Sequence, residues 1–362
     1  MSSGHSMQKR PHLIGSQMIS GNKRMQQIHI AWIGFFRRQV SMKDFFGYEI
    51  IFLPMRSRYK MLKLFEYLSK FYRSFLLFAG KRPDVVWVHL PQVPLLWAAL
   101  MYRWLLNHKA KVVADCHSSM LRKPWVRVPF GVSMINRCDL VLVHNDYMVK
   151  VAQAVGIKLD LVRVLEDVPA NISSCGKETA IPDVPRPWLL FPASFHEDEP
   201  IEELLKAAEL VPKASFLITG NYKASLNKNI EWDIPPNVTL LGYLPVDTFD
   251  ACLRACDVVI GLTTEEGVQL CAAGEAVGIG KPMVLSGTDV LKKLFHKGAV
   301  FVDSSNPESI ARGCRDALGR LKILAAESSA LREERKQMWE KNQAQPLLEI
   351  LYERCFTTDK DI

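Results

Sequence analysis

Short apolar runs alternate with longer amphipathic stretches along almost the whole chain. Residues 28–34, 48–53, 84–89, 111–115, 140–144 and 162–165 are brief, rich in Val, Ile and Leu, and read as strands. Helical spacing fills residues 58–79, 93–107 and 146–155 between them. The proline-rich segment Ile181-Pro182-Asp183-Val184-Pro185-Arg186-Pro187 interrupts this rhythm. The alternation then restarts, with strands at 188–192, 215–220, 238–242, 258–261, 283–286 and 299–302. Helices are expected at 200–211, 247–255, 268–279, 288–295 and 307–321, with a last stretch over 326–356. Strands that are apolar throughout need cover on both faces, so the pattern predicts two α/β halves, each a doubly wound parallel sheet. In such sheets ligands sit beyond the carboxyl ends of the strands.

The domain boundaries follow from the same pattern. Residues 1–26 are polar and Ser/Gly/Met-rich, without the apolar core of a signal peptide, and are expected to form a disordered extension. Residues 27–175 form a first Rossmann-like domain, 176–187 a linker, 188–335 a second Rossmann-like domain, and 336–362 a C-terminal helix. The apolar region Val85–Leu106 is broken by His89, Pro91, Gln92, Pro94 and Arg103. It reads as a strand followed by a helix rather than a membrane span, so a cytoplasmic location is expected.

Charge divides the chain unevenly. The first 175 residues carry 25 Lys+Arg against 10 Asp+Glu, and the remainder carries 21 against 28. A basic first half suits anionic lipid head groups or an acidic acceptor such as a lipid diphosphate. No zinc-finger spacing, aromatic RNA-binding motif or basic repeat supports a nucleic-acid partner. The eight cysteines contain no Cys-x-x-Cys pair and are expected as reduced thiols, and no metal site is expected at Cys252 and Cys256.

The chemistry concentrates after the strand 258–261. Thr263-Thr264-Glu265-Glu266-Gly267-Val268-Gln269-Leu270 leads into a helix carrying Glu275-Ala276 and ending at Gly280-Lys281-Pro282, where another strand begins. A glycine-containing turn at a helix N-terminus presents backbone N–H groups to an anion. Carboxylates on either side suit the hydroxyl groups of a nucleotide-sugar.

This segment resembles the donor site of GT-B glycosyltransferases of the large Glu-x7-Glu group, in the branch that makes bacterial cell-surface polysaccharides. The match lies in Glu275-Ala276 and Gly280-Lys281-Pro282; the spacing departs, because Glu266 and Glu275 enclose eight residues. The resemblance implies the GT-B architecture, two Rossmann-like domains facing across a cleft, with the last helix crossing back to the first domain. It implies that the amides of Gly267, Val268, Gln269 and Leu270 bind the donor diphosphate and that Glu275 binds ribose hydroxyls. Either Glu265 or Glu266 contacts the donor sugar. Gly242, Tyr243 and Leu244 would hold the nucleobase, and Gly220 ends a strand at the same edge. The family's Arg and Lys after the first strand of this domain are replaced by Ser194 and Glu199, leaving Ser194 and His196 beside the phosphates. That loss is similar to the eukaryotic beta-mannosyltransferases acting on chitobiosyl-diphospho-dolichol, which leaves retention and inversion both open.

In the first half, Asp115-Cys116-His117 ends a strand where the family often places a His beside the donor sugar. His117 is the leading candidate there, with Asp115 orienting it or acting as a base. Asn145 or Asp146 is expected to cap the helix that follows. The aromatic-basic run Gly34-Phe35-Phe36-Arg37-Arg38 reads as a loop, and 58–78 reads either as an interfacial helix on anionic lipid or as a core helix with basic solvent residues.

The function implied is metal-independent hexosyl transfer, without a cofactor beyond the nucleoside-diphosphate sugar, to a hydroxyl of a lipid-linked or polysaccharide acceptor. Peripheral attachment to the inner face of the membrane accompanies it. A UDP-sugar 2-epimerase and a non-catalytic GT-B module that binds membrane or protein partners are the rival readings.

Overall fold

The computed structural model describes residues 25–56, 60–172, 183–222 and 232–356. Residues 1–24 of the extension expected over 1–26, Cys175 and most of the expected linker lie outside these residues; Met25, inside that expected extension, is instead buried, and Gln26 N donates to Asp84 Oδ2 at 2.9 Å. Among the described residues, twelve strands form two six-stranded sheets. The first contains β1 (Gln27–Ala31), β2 (Glu49–Phe52), β3 (Val85–Leu90), β4 (Lys111–Cys116), β5 (Leu140–Val143) and β6 (Val162–Val164), in the order β2-β1-β3-β4-β5-β6. The second contains β7 (Trp188–Pro192), β8 (Ser215–Thr219), β9 (Val238–Gly242), β10 (Val258–Gly261), β11 (Met283–Ser286) and β12 (Ala299–Val302), in the order β12-β11-β10-β7-β8-β9. The registers are parallel, as in Ile30↔Val88 and Leu190↔Val259. The fold is α/β with two Rossmann-like halves.

Helices join the strands: α1 (Arg37–Phe46), α2 (Lys60–Lys81), α3 (Val93–Leu105), α4 (Gly131–Ile135) and α5 (Asp146–Ala154) in the first half. The second half has α6 (Ile201–Glu209), α7 (Val246–Ala255), α8 (Cys271–Gly278), α9 (Asp289–Leu294), α10 (Pro307–Gly319), α11 (Leu321–Trp339) and α12 (Gln345–Phe356). Helix α1 corrects the expected loop: Arg37 and Arg38 open a helix, and Arg38 is buried. Its start at Phe36 carries no side-chain cap and its first turn no acid, so no start signal is readable from the residues alone.

By density of contacts the chain divides into Met1–Ala114 with Leu348–Ile362, and Asp115–Leu347. In the first unit Ile28, Ile30, Val86, Val88, Leu95 and Phe78 are buried, and α2 packs along α3. In the second unit the faces of the β7–β12 sheet have separate cores. Phe191, Phe216, Ile260 and Val284 pack under α6 and α10, and Leu190, Leu217, Val259 and Leu285 under α7 and α8. The start of β7 is pinned by Arg186, which donates to Asp257 Oδ2 at 3.0 Å and stacks over Trp188 at 4.2 Å.

Candidate active site

The order of the second sheet reverses at β7 and β10, which are neighbours. The loops beyond their carboxyl ends therefore diverge and leave the crevice in which doubly wound sheets bind ligands. Asp198, from the loop after β7, ties the two loops together. Its carboxylate accepts from Thr263 Oγ1 at 2.8 Å, and its carbonyl accepts from Thr264 N at 2.8 Å. Thr263 is fully buried, donates its N–H to Ser286 Oγ at 2.8 Å, and accepts from Glu265 N at 3.1 Å. The turn is thus braced from β7, β10 and β11 before any ligand arrives. The sequence did not single out Asp198, because its role depends on strands far apart in the chain.

The two adjacent glutamates separate into different roles. Glu266 Oε1 accepts from Val290 N at 2.9 Å, which satisfies an amide in the first turn of α9. Glu265 is directed away, its Oε2 lying 2.6 Å from Arg122 Nη1. Of the pair, Glu265 presents its carboxylate outward beside the turn, and Glu266 is built into the fold.

Helix α8 begins at Cys271, three residues later than its expected start, and its N-cap Leu270 makes no side-chain cap. Gly267, Val268, Gln269 and Leu270 form the preceding turn, and the helix's first amides follow directly. This end of α8 therefore offers N–H groups to an anion. Glu275 is buried in the same helix. Gly267 is closely packed: a Cβ there would lie 2.6 Å from the Tyr147 ring, so the ring would have to move aside. With its amide oriented to satisfy both neighbours, Gln269 donates to His144 O at 2.9 Å and accepts from Asp167 N at 3.1 Å.

These contacts bring a second group of residues to the turn, all within Asp115–Leu347. Asp115, the penultimate residue of β4, is buried, with Oδ1 4.0 Å from Nε2 of buried His144, which follows β5. His117 meets His144 edge to face at 5.3 Å between ring centroids. Nδ1 of His117 also accepts from Ser119 N at 3.5 Å, so the ring caps the 3-10 turn Ser118–Leu121. Asn145 caps α5 as expected, Oδ1 accepting from Met148 N at 3.0 Å. Its Nδ2 also donates to Gly267 O at 3.2 Å, which holds the turn against α5. Asp146 pairs with Lys293 at 2.5 Å. His144 stands at the strand end just before the helix-start residues Asn145 and Asp146, and its approach to Asp115 depends on β4 and β5 being neighbours in the sheet. Burial pushes the Cys116 thiol well up, so this strand end offers no thiolate.

The loop after β7 holds an anion of its own. The Glu199 carboxylate accepts from Ser194 N at 2.9 Å, Ser194 Oγ at 2.8 Å and Phe195 N at 2.6 Å. Phe195 sits at φ +58, in the left-handed region that few non-glycine residues adopt. Burial raises the Glu199 carboxyl above its usual range, and these hydrogen bonds offset part of the rise. Ser194 therefore meets a carboxylate in the structure. Gly220 N donates to Gly242 O at 2.8 Å, both glycines have positive φ, and Tyr243 beyond them is exposed. Leu244 packs against the core on the α7 side.

A clamp behind the site fixes the segment after β6. Arg335 of α11 is buried, stacks over Phe295 at 4.8 Å, and reaches Glu166 Oε2 at 3.3 Å and Asp167 O at 3.2 Å. Trp339 Nε1 donates to Glu166 O at 3.0 Å, and Gln343 Oε1 accepts from Glu166 N at 2.8 Å.

Residues 186–320 match the family model described as Glycosyl transferases group 1. Among solved structures, Anabaena HepE in complex with UDP-glucose is similar at 14% identity and a TM-score of 0.65, over 91% of this chain and 99% of that one. Sucrose-phosphate synthase from Thermosynechococcus elongatus is similar at 15% identity and a TM-score of 0.64, over 92% of this chain and 100% of that one. S. aureus MnaA, in a co-structure with UDP, is similar at 13% identity and a TM-score of 0.54, over 85% and 92% of the two chains. No curated protein sequence matches. The chain has the GT-B fold, and its residues 186–320 match the Glycosyl transferases group 1 family.

Proposed function

We propose that this protein is a glycosyltransferase that moves a hexosyl group from a nucleoside-diphosphate sugar to a hydroxyl of a lipid-linked or polysaccharide acceptor. The observation that carries the reading is the braced turn from Thr263 to Leu270. It lies beyond the carboxyl end of β10, at the reversal of strand order, with outward Glu265 before it and Glu275 in the helix after it. The solved complexes of HepE with UDP-glucose and of MnaA with UDP support a uridine nucleotide.

In this reading the amides of Gly267–Leu270 and the first turn of α8 take the diphosphate. They stabilise the charge that grows on it as the glycosidic bond breaks, so transfer proceeds without a metal. Glu275 binds the ribose and Glu265 a hydroxyl of the donor sugar. Asp115, His117 and His144 stand at the strand ends where an acceptor proton can be taken. The nucleobase lies along Gly220, Gly242 and Tyr243.

One observation favours a second reading, a non-catalytic nucleotide-free module: Glu199 already fills the Ser194 and Phe195 amides. Calorimetric titration with UDP, GDP, ADP and their sugar conjugates, in EDTA, separates the two. Micromolar binding of one nucleotide that is lost in Glu275→Ala supports the transferase. No binding by any of them supports the module. Donor consumption without acceptor would instead identify an isomerase.

A further inference from the structure

Helix α2 presents two opposite faces. Its inner row is Lys70, Ser74 and Phe78, all buried. Ser74 Oγ accepts from Trp32 Nε1 at 3.1 Å, and Lys70 Nζ donates to Pro54 O at 2.6 Å. The row Leu64, Leu68, Tyr72, Leu76 is offset by two residues, about 200° around an α-helix, and so faces away from that core. Leu64 is 63% exposed, Phe65 66%, Leu68 60% and Tyr72 60%. Helix α3, packed along α2, adds exposed Trp97, Trp104 and Leu105. Scattered exposed apolar residues need no explanation, but a row of this length on one helix marks a binding surface.

The charge around the row identifies its occupant. From residue 61 to residue 111 the sequence has eight Lys or Arg and only two acids, Glu66 and Asp84. Both acids are engaged: Glu66 Oε1 accepts from Arg56 N at 2.7 Å, and Asp84 Oδ2 from Gln26 N at 2.9 Å. Lys63 and Arg73 are exposed on α2 beside the apolar row. A second copy would bring this basic face against itself, with like charges losing their water. An anionic bilayer has both complements: head groups for Lys63 and Arg73, and an acyl boundary for leucines and aromatic rings. No helix among the described residues is long and apolar enough to cross a membrane.

We propose that the outer face of α2, with the exposed tryptophans of α3, docks this protein on an anionic lipid surface, with α2 lying in the plane of the interface. This deepens the proposed function by giving a lipid-linked acceptor a surface to which the protein is recruited, yet it stands on residues outside the candidate active site.

The test is co-sedimentation of the full chain with phosphatidylcholine vesicles, with and without phosphatidylglycerol, in the absence of any sugar donor. Binding is expected only with phosphatidylglycerol. It should weaken with salt, fall roughly fivefold for each charge removed in Lys63→Gln and Arg73→Gln, and be lost in Phe65→Ser/Leu68→Ser. Unchanged circular dichroism shows that the variants fold, and sedimentation equilibrium without lipid reads self-association. Absence of binding to the anionic vesicles overturns the proposal, as does binding that the variants leave intact. A dimer that the Phe65→Ser/Leu68→Ser variant dissociates would assign the face to a second copy. Because no donor is present, failure here is separate from failure of the nucleotide titration.

Discussion

Arg122 Nη1 and Glu265 Oε2 lie 2.6 Å apart, so the outward carboxylate of the turn is held by a guanidinium from the segment after β4. Both side chains are partly exposed, and such pairs contribute at most about 1 kcal/mol to stability. Their value is positional: the pair sets where Glu265 points before a donor binds.

The two adjacent glutamates should therefore respond differently. Glu265→Gln is expected to lower kcat/KM by roughly 30- to 100-fold, the loss of a charged hydrogen bond to substrate, with little change in melting temperature. Glu266→Gln weakens the cap on α9 and should cost about 1 kcal/mol of stability with a smaller kinetic effect. Steady-state kinetics alongside urea titration checks the division. Equal kinetic losses in both variants would contradict it.

Gly267→Ala places a methyl against Tyr147 and should destabilise the protein by about 1–3 kcal/mol while weakening nucleotide binding. Tyr147→Ala in the same chain should recover much of the binding, since it opens the space. Calorimetry on the single and double variants reads the recovery; none would mean that the backbone of the turn, rather than the ring contact, demands glycine.

The contact between buried Arg335 and partly buried Glu166 should be costly to break from one side. Arg335→Leu leaves the Glu166 carboxylate without its cation and is expected to cost about 3–5 kcal/mol. Arg335→Leu with Glu166→Gln should cost clearly less. Urea unfolding of the two proteins makes the comparison, and equal losses would show that packing of the Arg335 chain over Phe295 dominates.

Glu199 predicts a pH dependence. Burial raises its folded pKa above the ordinary 4.5. Folding then takes up a proton between those two values, so this group favours the fold at low pH and the benefit is lost as pH rises through the raised pKa. Glu199→Gln removes that titration. The stability of the natural protein relative to the variant should fall as pH rises from about 4.5 upward, where the raised range begins. Melting temperatures across the acid range test the sign, and a difference that grows with pH would reverse it.

Much of this was legible in the chain itself. The strands among the described residues follow from short apolar runs: inner strands such as β3, β5 and β10 are buried throughout and must be apolar on both faces, and neighbours in sequence set their boundaries. The turn at Thr263–Leu270 was legible for the same reason: strand, glycine and helix lie within one short segment. Helix α1 was not, since its first turn has neither a polar cap nor an acid.

Other features needed the folded chain. Whether Glu265 or Glu266 faces outward depends on Val290 and Arg122, which only the packing of α9 and of the segment after β4 brings near. His144 reaches Asp115 because β4 and β5 are adjacent in the sheet. Glu199 fills the Ser194 amides because the loop after β7 folds back on itself. The leucines of α2 read equally well as core or surface by spacing, and burial of Lys70, Ser74 and Phe78 on the opposite side decided which face lies outward. Periodicity fixes which residues share a face, but the direction of that face is set by contacts distant in sequence.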